Sequence, residues 1–271
     1  MSVLTALEKS ACEAARLAGG VLRLRFRTEM ASRIETKGLH DFVTAVDREA
    51  EAVILEFLAS HHPDHSVMSE ESHPDVERSG YRWVVDPLDG TTNFAHGVTP
   101  FAVSIAVEDD EGLAAGAVYD PIHDEMFQAY RGGGARLNGE PIRCSRPTIS
   151  DNALIATGFP YRELSRLEAY LEAFAAVVRS TAGLRRAGSA SIDLASTACG
   201  RYDGFFEIGL CRWDLAAGAL LVQEAGGRVT DVVGGSSFAD SGDIVAAGSG
   251  IHAVLLEITR TAFGRASYSA G

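Results

Sequence analysis

The sequence predicts a layered protein of α-helices and β-sheets, built from two unlike halves. Two long amphipathic helices come first, over residues 2–27 and 43–63, and Pro63 closes the second. Short, apolar, turn-bounded segments follow as far as Cys144, which is typical of a largely antiparallel sheet. Strand and helix patterns then alternate to the last residues. Because each amphipathic element must bury its apolar face, this order favours stacked helix and sheet layers.

The elements of the first half are assigned from the spacing of their apolar residues. One face of the first helix carries apolar residues at helical spacing: Leu4, Leu7, Ala11, Ala14, Ala18 and Leu22. The strand candidates that follow the second helix are "YRWVVD", "FAVSIAVED", "GLAAGAVYD", "DEMFQAYRGGG" and "GARLNGEPIRC".

The second half reads as alternating strands and helices. Its strand candidates are "NALIATG", "YDGFFEI" and "DIVAAGS". Its helix candidates are "YRELSRLEAYLEAFAAVVRS", "SIDLASTACG", "WDLAAGALLVQEAGG" and "IHAVLLEITRTAFG". We divide the chain at residues 1–145 and 146–271, because "PIRCSRPTISD" is the least patterned stretch between them. We expect one folding unit with the active site between the halves.

Composition restricts the class of protein. The chain has 271 residues and a formal net charge of −13, which disfavours direct binding to nucleic acid. An apolar run of the roughly 18 to 20 residues that a membrane span needs is absent from the sequence, and the first helix is too polar for a signal peptide. The four cysteines form no C-x-x-C pair, so we expect reduced thiols in a cytoplasmic protein.

Two acids follow an apolar strand in "WVVDPLDGTTNF", namely Asp86 and Asp89. Residues three apart in a regular strand face opposite sides, but Pro87 and Gly90 can break that geometry and bring both carboxylates together with the carbonyl of Leu88. Two carboxylates in a poorly solvated place raise each other's pKa unless a cation binds them. Oxygen ligands of this type suit Mg²⁺, often beside a substrate phosphate. The alternative is a plain polar turn that closes a strand.

Four further positions are ambiguous when each is taken alone. Glu70 in "MSEES" could be a solvated loop acid, and Asp214 in "CRWDLAAGALL" could be a helix cap. Thr44 and Asp47 in "VTAVDREAE" have the spacing of a capping box. A metal site would need several of these acids to converge.

Taken together, these stretches resemble the inositol monophosphatase family of metal-dependent phosphatases. The matching stretches occur in the family's order across nearly the whole chain: "DFVTAVD", "SEES", "WVVDPLDGTTNFAHG", "AGSASIDL", "GFFEIGL" and "WDLAAGALLVQEAGG". D-P-[IL]-D-G-T-T-N-F paired with W-D-x-A-A-G is a highly specific combination. The departures are modest: Ser69 stands where glycine is common, and Ser189 where threonine is frequent.

The resemblance implies a metal site of two or three Mg²⁺ ions, with Mn²⁺ as a possible substitute and Li⁺ as an inhibitor. Glu70, Asp86 and the Leu88 carbonyl correspond to ligands of a first ion. Asp86, Asp89 and Asp214 correspond to ligands of a second, and a third, weaker ion depends on Glu70 and waters.

The resemblance also implies the catalytic and substrate-binding residues. Asp47 and Thr91, together with Glu70, correspond to residues that orient and deprotonate the attacking water. Gly90 and Thr91 would offer backbone N–H groups to the phosphate. The remaining substrate-binding residues that it implies are Asp89, Gly188, Ser189, Ala190, Glu207 and Asp214, of which Glu207 and Asp89 would bind sugar or cyclitol hydroxyls.

The resemblance implies an αβαβα sandwich, a homodimer and hydrolysis of a phosphate monoester. Such hydrolysis has a very large barrier, which two metal ions can lower by activating water and neutralising charge. The expected substrate is myo-inositol 1- or 4-monophosphate. Histidinol phosphate, fructose 1,6-bisphosphate and 3′-phosphoadenosine 5′-phosphate remain alternatives within the same chemistry. A regulatory binding protein on this fold is the alternative of another class.

Overall fold

The computed structural model of the chain describes residues 2–28, 34–38, 41–72, 80–146 and 150–266. Its helices are α1 (Val3–Arg25), α2 (Ala45–His61), α3 (Thr91–Ala95), α4 (Leu167–Ser180), α5 (Ala190–Ala198), α6 (Arg212–Glu224), α7 (Phe238–Ser241) and α8 (Ser249–Ala266). Single 3₁₀ turns occupy Ser150–Asn152 and Leu164–Arg166.

The strands form a short hairpin and two sheets. The hairpin pairs β1 (Ile34–Gly38) with β2 (Asp41–Thr44). The larger sheet has seven strands: β3 (Ser66–Ser69), β4 (Arg82–Asp89), β5 (Ala102–Asp109), β6 (Gly112–Asp120), β7 (Glu125–Tyr130), β8 (Ala135–Leu137) and β9 (Glu140–Pro141). The smaller sheet has five: β10 (Leu154–Thr157), β11 (Gly183–Arg185), β12 (Gly204–Glu207), β13 (Arg228–Thr230) and β14 (Ile244–Ala247).

The two sheets differ in topology in the way that the sequence predicts. The larger sheet keeps chain order and is antiparallel except for the parallel pair β3 and β4. The smaller sheet has the order β11-β10-β12-β14-β13, with β10 parallel to both of its neighbours and β14 antiparallel to both of its own.

Alternating side chains of the larger sheet bury its two faces against different helices. On β4, Trp83 and Val85 face a cluster shared with α1 and α2, whereas Val84 faces the opposite cluster, shared with α5 and α6. Successive side chains of a strand point to opposite faces of the sheet, and here both faces are buried. The larger sheet therefore lies between two layers of helices.

The smaller sheet completes the layers in the same manner. Phe205 of β12 packs towards α5 and α6, and its neighbour Phe206 packs towards α4 and α8. The order across the molecule is thus α1 and α2, larger sheet, α5 and α6, smaller sheet, α4 and α8. The predicted αβαβα sandwich is confirmed.

Small residues allow the central helices to pack closely. A Cβ at Gly218 of α6 would lie 2.5 Å from the Cβ of Leu194 on α5, which is too close for any side chain. On the sheet side, a Cβ at Gly116 of β6 would lie 3.4 Å from the Cα of Ala217. The glycine in "AAGALL" therefore allows α6 to approach α5. Within the described ranges, no helix has the length and hydropathy of a membrane span.

Two predicted helix starts are wrong, and both lie near the candidate site. The second helix begins at Ala45 rather than at residue 43, because Val43 and Thr44 pair with β1 as part of β2. The helix predicted from Tyr161 begins at Leu167, after the 3₁₀ turn Leu164–Arg166. The strands β3, β11 and β13, which the sequence did not indicate, are short edge strands of three or four residues.

Candidate active site

A cavity of about 360 Å³ opens where the end of β4 meets α3, the beginnings of α5 and α6, and the end of β12. Its volume suits a small-molecule ligand. All of the predicted site residues lie in the described part of the chain, and all but Asp47 line this cavity. Residues from both halves of the sequence therefore meet at one place.

An irregularity in β4 brings Asp86 and Asp89 to the same side. Asp86 pairs with Ser104 of β5, but Asp89 pairs with Ala102, so β4 has one more residue than its partner over this interval. The extra residue is a β-bulge, and it lets positions three apart face the same way. Pro87 lies within the bulge, where a residue without an N–H group is tolerated. The Leu88 N–H donates to Asp86 Oδ1 at 3.0 Å and fixes that carboxylate.

Two aspartates of β4 and one from the distant helix α6 form a tight cluster. One carboxylate oxygen from each of Asp86, Asp89 and Asp214 lies within 4.8 Å of the others, and all three residues are buried. Glu70 lies beside this cluster, close enough that its charge raises the pKa of Asp86. These are the acids that the sequence proposed as metal ligands.

Burial dominates the electrostatics of this cluster. Desolvation raises the pKa of Asp86 well above its usual range, and Glu70, Asp89 and Asp214 raise it further. Desolvation also raises the pKa of Asp89, and it raises that of Asp214 to about 6. Buried carboxylates that raise one another's pKa are a donor set suited to a hard divalent cation, which prefers oxygen ligands. The residues present therefore fit Mg²⁺.

Asp89 is held by the first turn of α5. Its Oδ2 accepts hydrogen bonds from Ser189 Oγ at 2.6 Å, from Ser191 Oγ at 2.5 Å and from the Ser191 backbone N–H at 2.8 Å. These donors lower the pKa of Asp89 against the effect of burial, and they hold its carboxylate at the beginning of the helix.

Asp214 both caps its helix and joins the cluster. It is the third residue of α6, and its Oδ2 accepts from the Cys211 N–H at 2.7 Å in a capping box. The sequence left two alternatives for Asp214, a helix cap or a place in an acid cluster. In the structure its one carboxylate does both. Arg162 also contacts it, with Nη1 at 3.3 Å from Asp214 Oδ2 and Nη2 at 3.6 Å from Glu70 Oε1. The guanidinium thus bridges two predicted ligands and offsets part of their charge.

The loop that carries Glu70 is tied to α2 through a buried acid, Glu51. Its Oε1 accepts from Ser69 Oγ, from the Glu71 N–H at 3.2 Å and from the Ser72 N–H at 3.1 Å. Ser69 is one of the departures noted in the sequence, and its hydroxyl gives this loop an additional contact.

Asp47 lies behind Thr91 at the edge of the cluster. The Thr91 hydroxyl lies 3.1 Å from Asp47 Oδ1 and 3.0 Å from the Leu88 carbonyl oxygen, and it can donate to one of these at a time. Asp47 is itself buried. The three residues therefore form a short polar chain from the interior to the cavity.

Two glycines that line the cavity, Gly90 and Gly188, have positive φ and leave little room for a Cβ. Gly90 has φ of 92°, and a Cβ there would lie 3.0 Å from the Pro100 carbonyl oxygen. Gly188 has φ of 94°, and a Cβ there would lie 2.5 Å from Arg186 Nη1. Between them, Asn93 Nδ2 donates to the Pro100 oxygen at 2.7 Å and to the Ala187 oxygen at 2.9 Å. This amide holds the turn after β4 against the segment that precedes α5.

Glu207 lines the same cavity as the acids of β4, and the charges of Asp214 and Asp89 act on its carboxyl. It ends β12, and its carboxylate lies so close to Gly158 that a Cβ at 158 would be within 2 Å of it. Burial raises the pKa of Glu207 well above its usual range, and the charge of Asp193 raises it further. Ser189 and Ala190 line this cavity as well.

Sequence reasoning missed five residues that shape this site: Glu51, Asn93, Arg162, Ser191 and Asp193. A signal existed for Glu51, because it lies one helical turn after Asp47 on the buried face of α2. Asn93 and Ser191 lie inside quoted motifs and were not singled out. Arg162 was placed in a helix that in fact begins later, so its reach to the acids could not be predicted.

Comparison with known proteins places this arrangement in a family. The model of the inositol monophosphatase family matches residues 4–262. A protein of Pseudomonas aeruginosa named Nus factor SuhB is 48% identical over 242 residues, which cover 87% of this chain and 89% of that protein.

Solved structures agree with the sequence comparison. The extragenic suppressor protein suhB from Bartonella henselae has a TM-score of 0.88 at 40% identity, covering 94% of this chain and 98% of that chain. An inositol monophosphatase from Anabaena has a TM-score of 0.85 at 37% identity, covering 96% of this chain and 97% of that chain. With the fold, the acid cluster and these likenesses in agreement, the chain belongs to the inositol monophosphatase family.

Proposed function

We propose that this protein is a Mg²⁺-dependent phosphate monoester hydrolase whose substrate is myo-inositol 1- or 4-monophosphate. The observation that supports it most is the buried cluster of Asp86, Asp89 and Asp214 in a cavity that Glu70 and Thr91 also line, with Asp47 hydrogen-bonded to Thr91 behind the cavity wall. Bound Mg²⁺ would neutralise phosphate charge and make a water a stronger nucleophile.

The chain's own groups would position the reactants and move a proton. The Thr91 hydroxyl can accept a hydrogen bond from the attacking water while it donates to Asp47 Oδ1, so that the proton passes towards the buried carboxylate. Glu70 would act at the same water. The N–H groups of Gly90 and Thr91, where α3 begins, would donate to the phosphate oxygens.

The substrate alcohol would lie on the other wall of the cavity. Glu207 and Asp89 would accept hydrogen bonds from its hydroxyls, and Gly188, Ser189 and Ala190 would form the surface against which its ring packs. Few polar groups of this wall contact the alcohol in this arrangement, so related phosphate esters are also candidates.

The test is release of phosphate from myo-inositol 1-phosphate at neutral pH with Mg²⁺, with EDTA, and with Mg²⁺ plus Li⁺. We expect turnover that needs Mg²⁺ and that Li⁺ suppresses. Histidinol phosphate, fructose 1,6-bisphosphate and 3′-phosphoadenosine 5′-phosphate belong in the same panel. Equal rates across the panel would contradict inositol specificity, and no release from any of them would contradict a phosphatase.

A second candidate function is a regulatory role in a transcription complex. The observation that favours it is the name Nus factor carried by a relative that is 48% identical. We expect Asp86→Asn to abolish phosphate release. If that variant still restores a strain that lacks the protein, the regulatory role is favoured over the enzyme.

We also propose a cytoplasmic homodimer with two or three Mg²⁺ ions per active site. Light scattering coupled to size exclusion would give the mass of the assembly, against 28.8 kDa for one chain. Calorimetric titration with Mg²⁺ and with Mn²⁺ would count the ions. A monomeric mass, or a single bound ion, would contradict this proposal.

A further inference from the structure

The cavity contains a buried carboxylate, that of Asp193, which a hydrogen-bond donor on a ligand would stabilise. Asp193, in the first turn of α5, is 1% exposed and lines the cavity. Its Oδ1 is buried and has no hydrogen-bond partner within the described parts of the chain. Folded proteins rarely leave a buried acceptor in this state, because the desolvation of the group is then uncompensated. A donor supplied by a ligand in the cavity would satisfy it.

The surroundings of Asp193 indicate which donor fits. Glu207 lines the same cavity, and the charge of Asp193 raises its pKa, so the two carboxyls lie within electrostatic reach of each other. Burial raises the pKa of Asp193 well above its usual range, as it does that of Glu207, and the positive charge of Arg186 opposes the rise in both. Arg186 lies over the rings of Phe159 and Tyr161, 5.4 and 5.5 Å from their centroids. A cation is therefore already present at this end of the cavity.

A guanidinium beside two carboxyls disfavours a second cation such as a substrate ammonium group. The remaining acceptors are then best satisfied by neutral hydrogen-bond donors. Two hydroxyl groups on adjacent carbons are the simplest neutral donors that can reach both carboxyls at once. We propose that Asp193 Oδ1 accepts a hydrogen bond from a substrate hydroxyl adjacent to the one that Glu207 binds. Asp193 is thus a specificity-determining residue that selects phosphate esters of vicinal polyols. This inference rests on the proposed phosphatase function.

The experiment compares two esters that differ in their hydroxyls, myo-inositol 1-phosphate and cyclohexyl phosphate. The quantity measured is the ratio of their kcat/KM values with Mg²⁺ present. In Asp193→Ala we expect this ratio to fall about tenfold, the effect of losing one buried hydrogen bond. Asp193→Asn keeps an oxygen acceptor at the same place, so its ratio is expected to stay within about threefold of the wild type. Ser196→Ala, on the same helix, is the control and keeps the wild-type ratio.

The outcomes separate this inference from the proposed function. If the wild-type protein hydrolyses neither ester, the phosphatase proposal fails. If it hydrolyses both and Asp193→Ala lowers both kcat/KM values equally, Asp193 supports the fold or the cluster and the specificity role is wrong. An unchanged ratio in Asp193→Ala, or a loss in Asp193→Asn as large as that in Asp193→Ala, also overturns it. If the alanine variant fails to fold, Asp193→Leu, which has a side chain of similar length and no acceptor, takes its place with the same expected fall in the ratio, and an unchanged ratio in it overturns the inference.

Discussion

Glu51 fixes the loop around Glu70 in the way that two serines fix Asp89. In both cases a buried carboxylate collects several donors, three at Glu51 Oε1 and three at Asp89 Oδ2. The two carboxylates differ in position: Asp89 lines the cavity, whereas Glu51 lies behind the loop that carries Glu70. Groups that orient metal ligands commonly change metal affinity when they are removed.

Removal of the Glu51 carboxylate is therefore expected to weaken Mg²⁺ binding without abolishing the fold. Glu51→Ala leaves the N–H groups of Glu71 and Ser72 without their acceptor, so that Glu70 is held less firmly. We expect the Mg²⁺ concentration for half-maximal activity to rise about 10- to 100-fold. The control is Glu49→Ala, on the same helix and paired with Arg25 at the surface. An equal rise in both variants would contradict a role through Glu70.

The site residues that could be predicted are those whose chemistry is visible in a short motif. Asp86, Asp89 and Asp214 stand in distinctive local patterns, and the structure brings them together. Arg162 acts through partners distant in sequence, Glu70 and Asp214, and one sequence holds no record of such contacts. For Glu51 the sequence shows its place on the buried face of α2 but not its hydrogen bonds to the loop of Glu70. Asp193 was missed for a different reason: an acid in the first turn of a helix is common, and its lack of a partner exists only in the folded chain.

At the scale of elements, the packing of α5 against α6 sets the position of two site residues. Asp193 lies on α5 and Asp214 on α6, and at Gly218 the helices approach so closely that a Cβ would lie 2.5 Å from the Cβ of Leu194. A methyl group at that point would force the helices apart.

Gly218→Ala is expected to lower the free energy of unfolding by about 1–3 kcal/mol, the usual cost of overpacking a core. Gly20→Ala is the matched control, because Gly20 also lies within a helix but a Cβ there meets nothing within 4 Å. That variant should gain about 0.5–1 kcal/mol from helix propensity alone. Urea denaturation of both variants measures the two values, and a gain at Gly218 would contradict the close packing.

The contact between α8 and β13 gives the protein a pH-dependent stability away from the active site. His252 of α8 is buried and lies 3.0 Å from the Thr230 hydroxyl through Nε2, and desolvation lowers its pKa to about 4. The unfolded chain takes up a proton near pH 6.5, whereas the folded protein does so near pH 4. The contribution of neutral His252 to the free energy of unfolding is therefore complete above about pH 6.5 and is lost as the pH falls towards about 4.

The prediction compares wild-type protein with His252→Gln across that interval. Between pH 7 and 4 the wild type should lose up to about 3 kcal/mol more free energy of unfolding than the variant. Denaturant titrations at several pH values measure the difference. Parallel curves for the two proteins would show that His252 does not titrate in this way.

The helices and strands that could be predicted from the sequence are the long, buried ones. The strands β4 to β7 and the helices α1, α6 and α8 follow the predicted patterns, because their apolar periodicity is set by layers on one or both faces. The edge strands β3, β11 and β13 are too short to show a period, and their pairing depends on neighbours far along the chain. The same tertiary pairing places Val43 and Thr44 in a strand rather than in a helix.

At the scale of the whole molecule, the acid cluster is a source of instability that a cation relieves. Burial raises the pKa of Asp86, Asp89 and Asp214 above the unfolded value, and the formal net charge of −13 adds to the repulsion. The protonated forms are favoured in the folded protein. Metal-free protein should therefore lose stability as the pH rises from about 4 through the pKa of Asp214, which is about 6.

Mg²⁺ is expected to reverse this loss, because under the proposed function it would bind the ionised acids of the folded state. In EDTA, the melting temperature should fall between pH 5 and 8, and saturating Mg²⁺ should restore more at pH 8 than at pH 5. At one hundred times its dissociation constant, a bound ion stabilises by about 2.7 kcal/mol. Differential scanning fluorimetry with wild type and Asp214→Asn tests this, and an equal Mg²⁺ response in both would contradict binding at the cluster.

The position of α6 between the two sheets also has a consequence for the order of events during synthesis. Asp86 and Asp89 leave the ribosome long before Asp214, which belongs to a helix that packs on both sheets. A nascent chain that ends before Asp214 has two of the three aspartates of the cluster, so a divalent ion has no closed site until late in translation. Assembly of the cluster thus requires that both halves of the chain have met, and a divalent ion that bound there would favour chains that have finished folding.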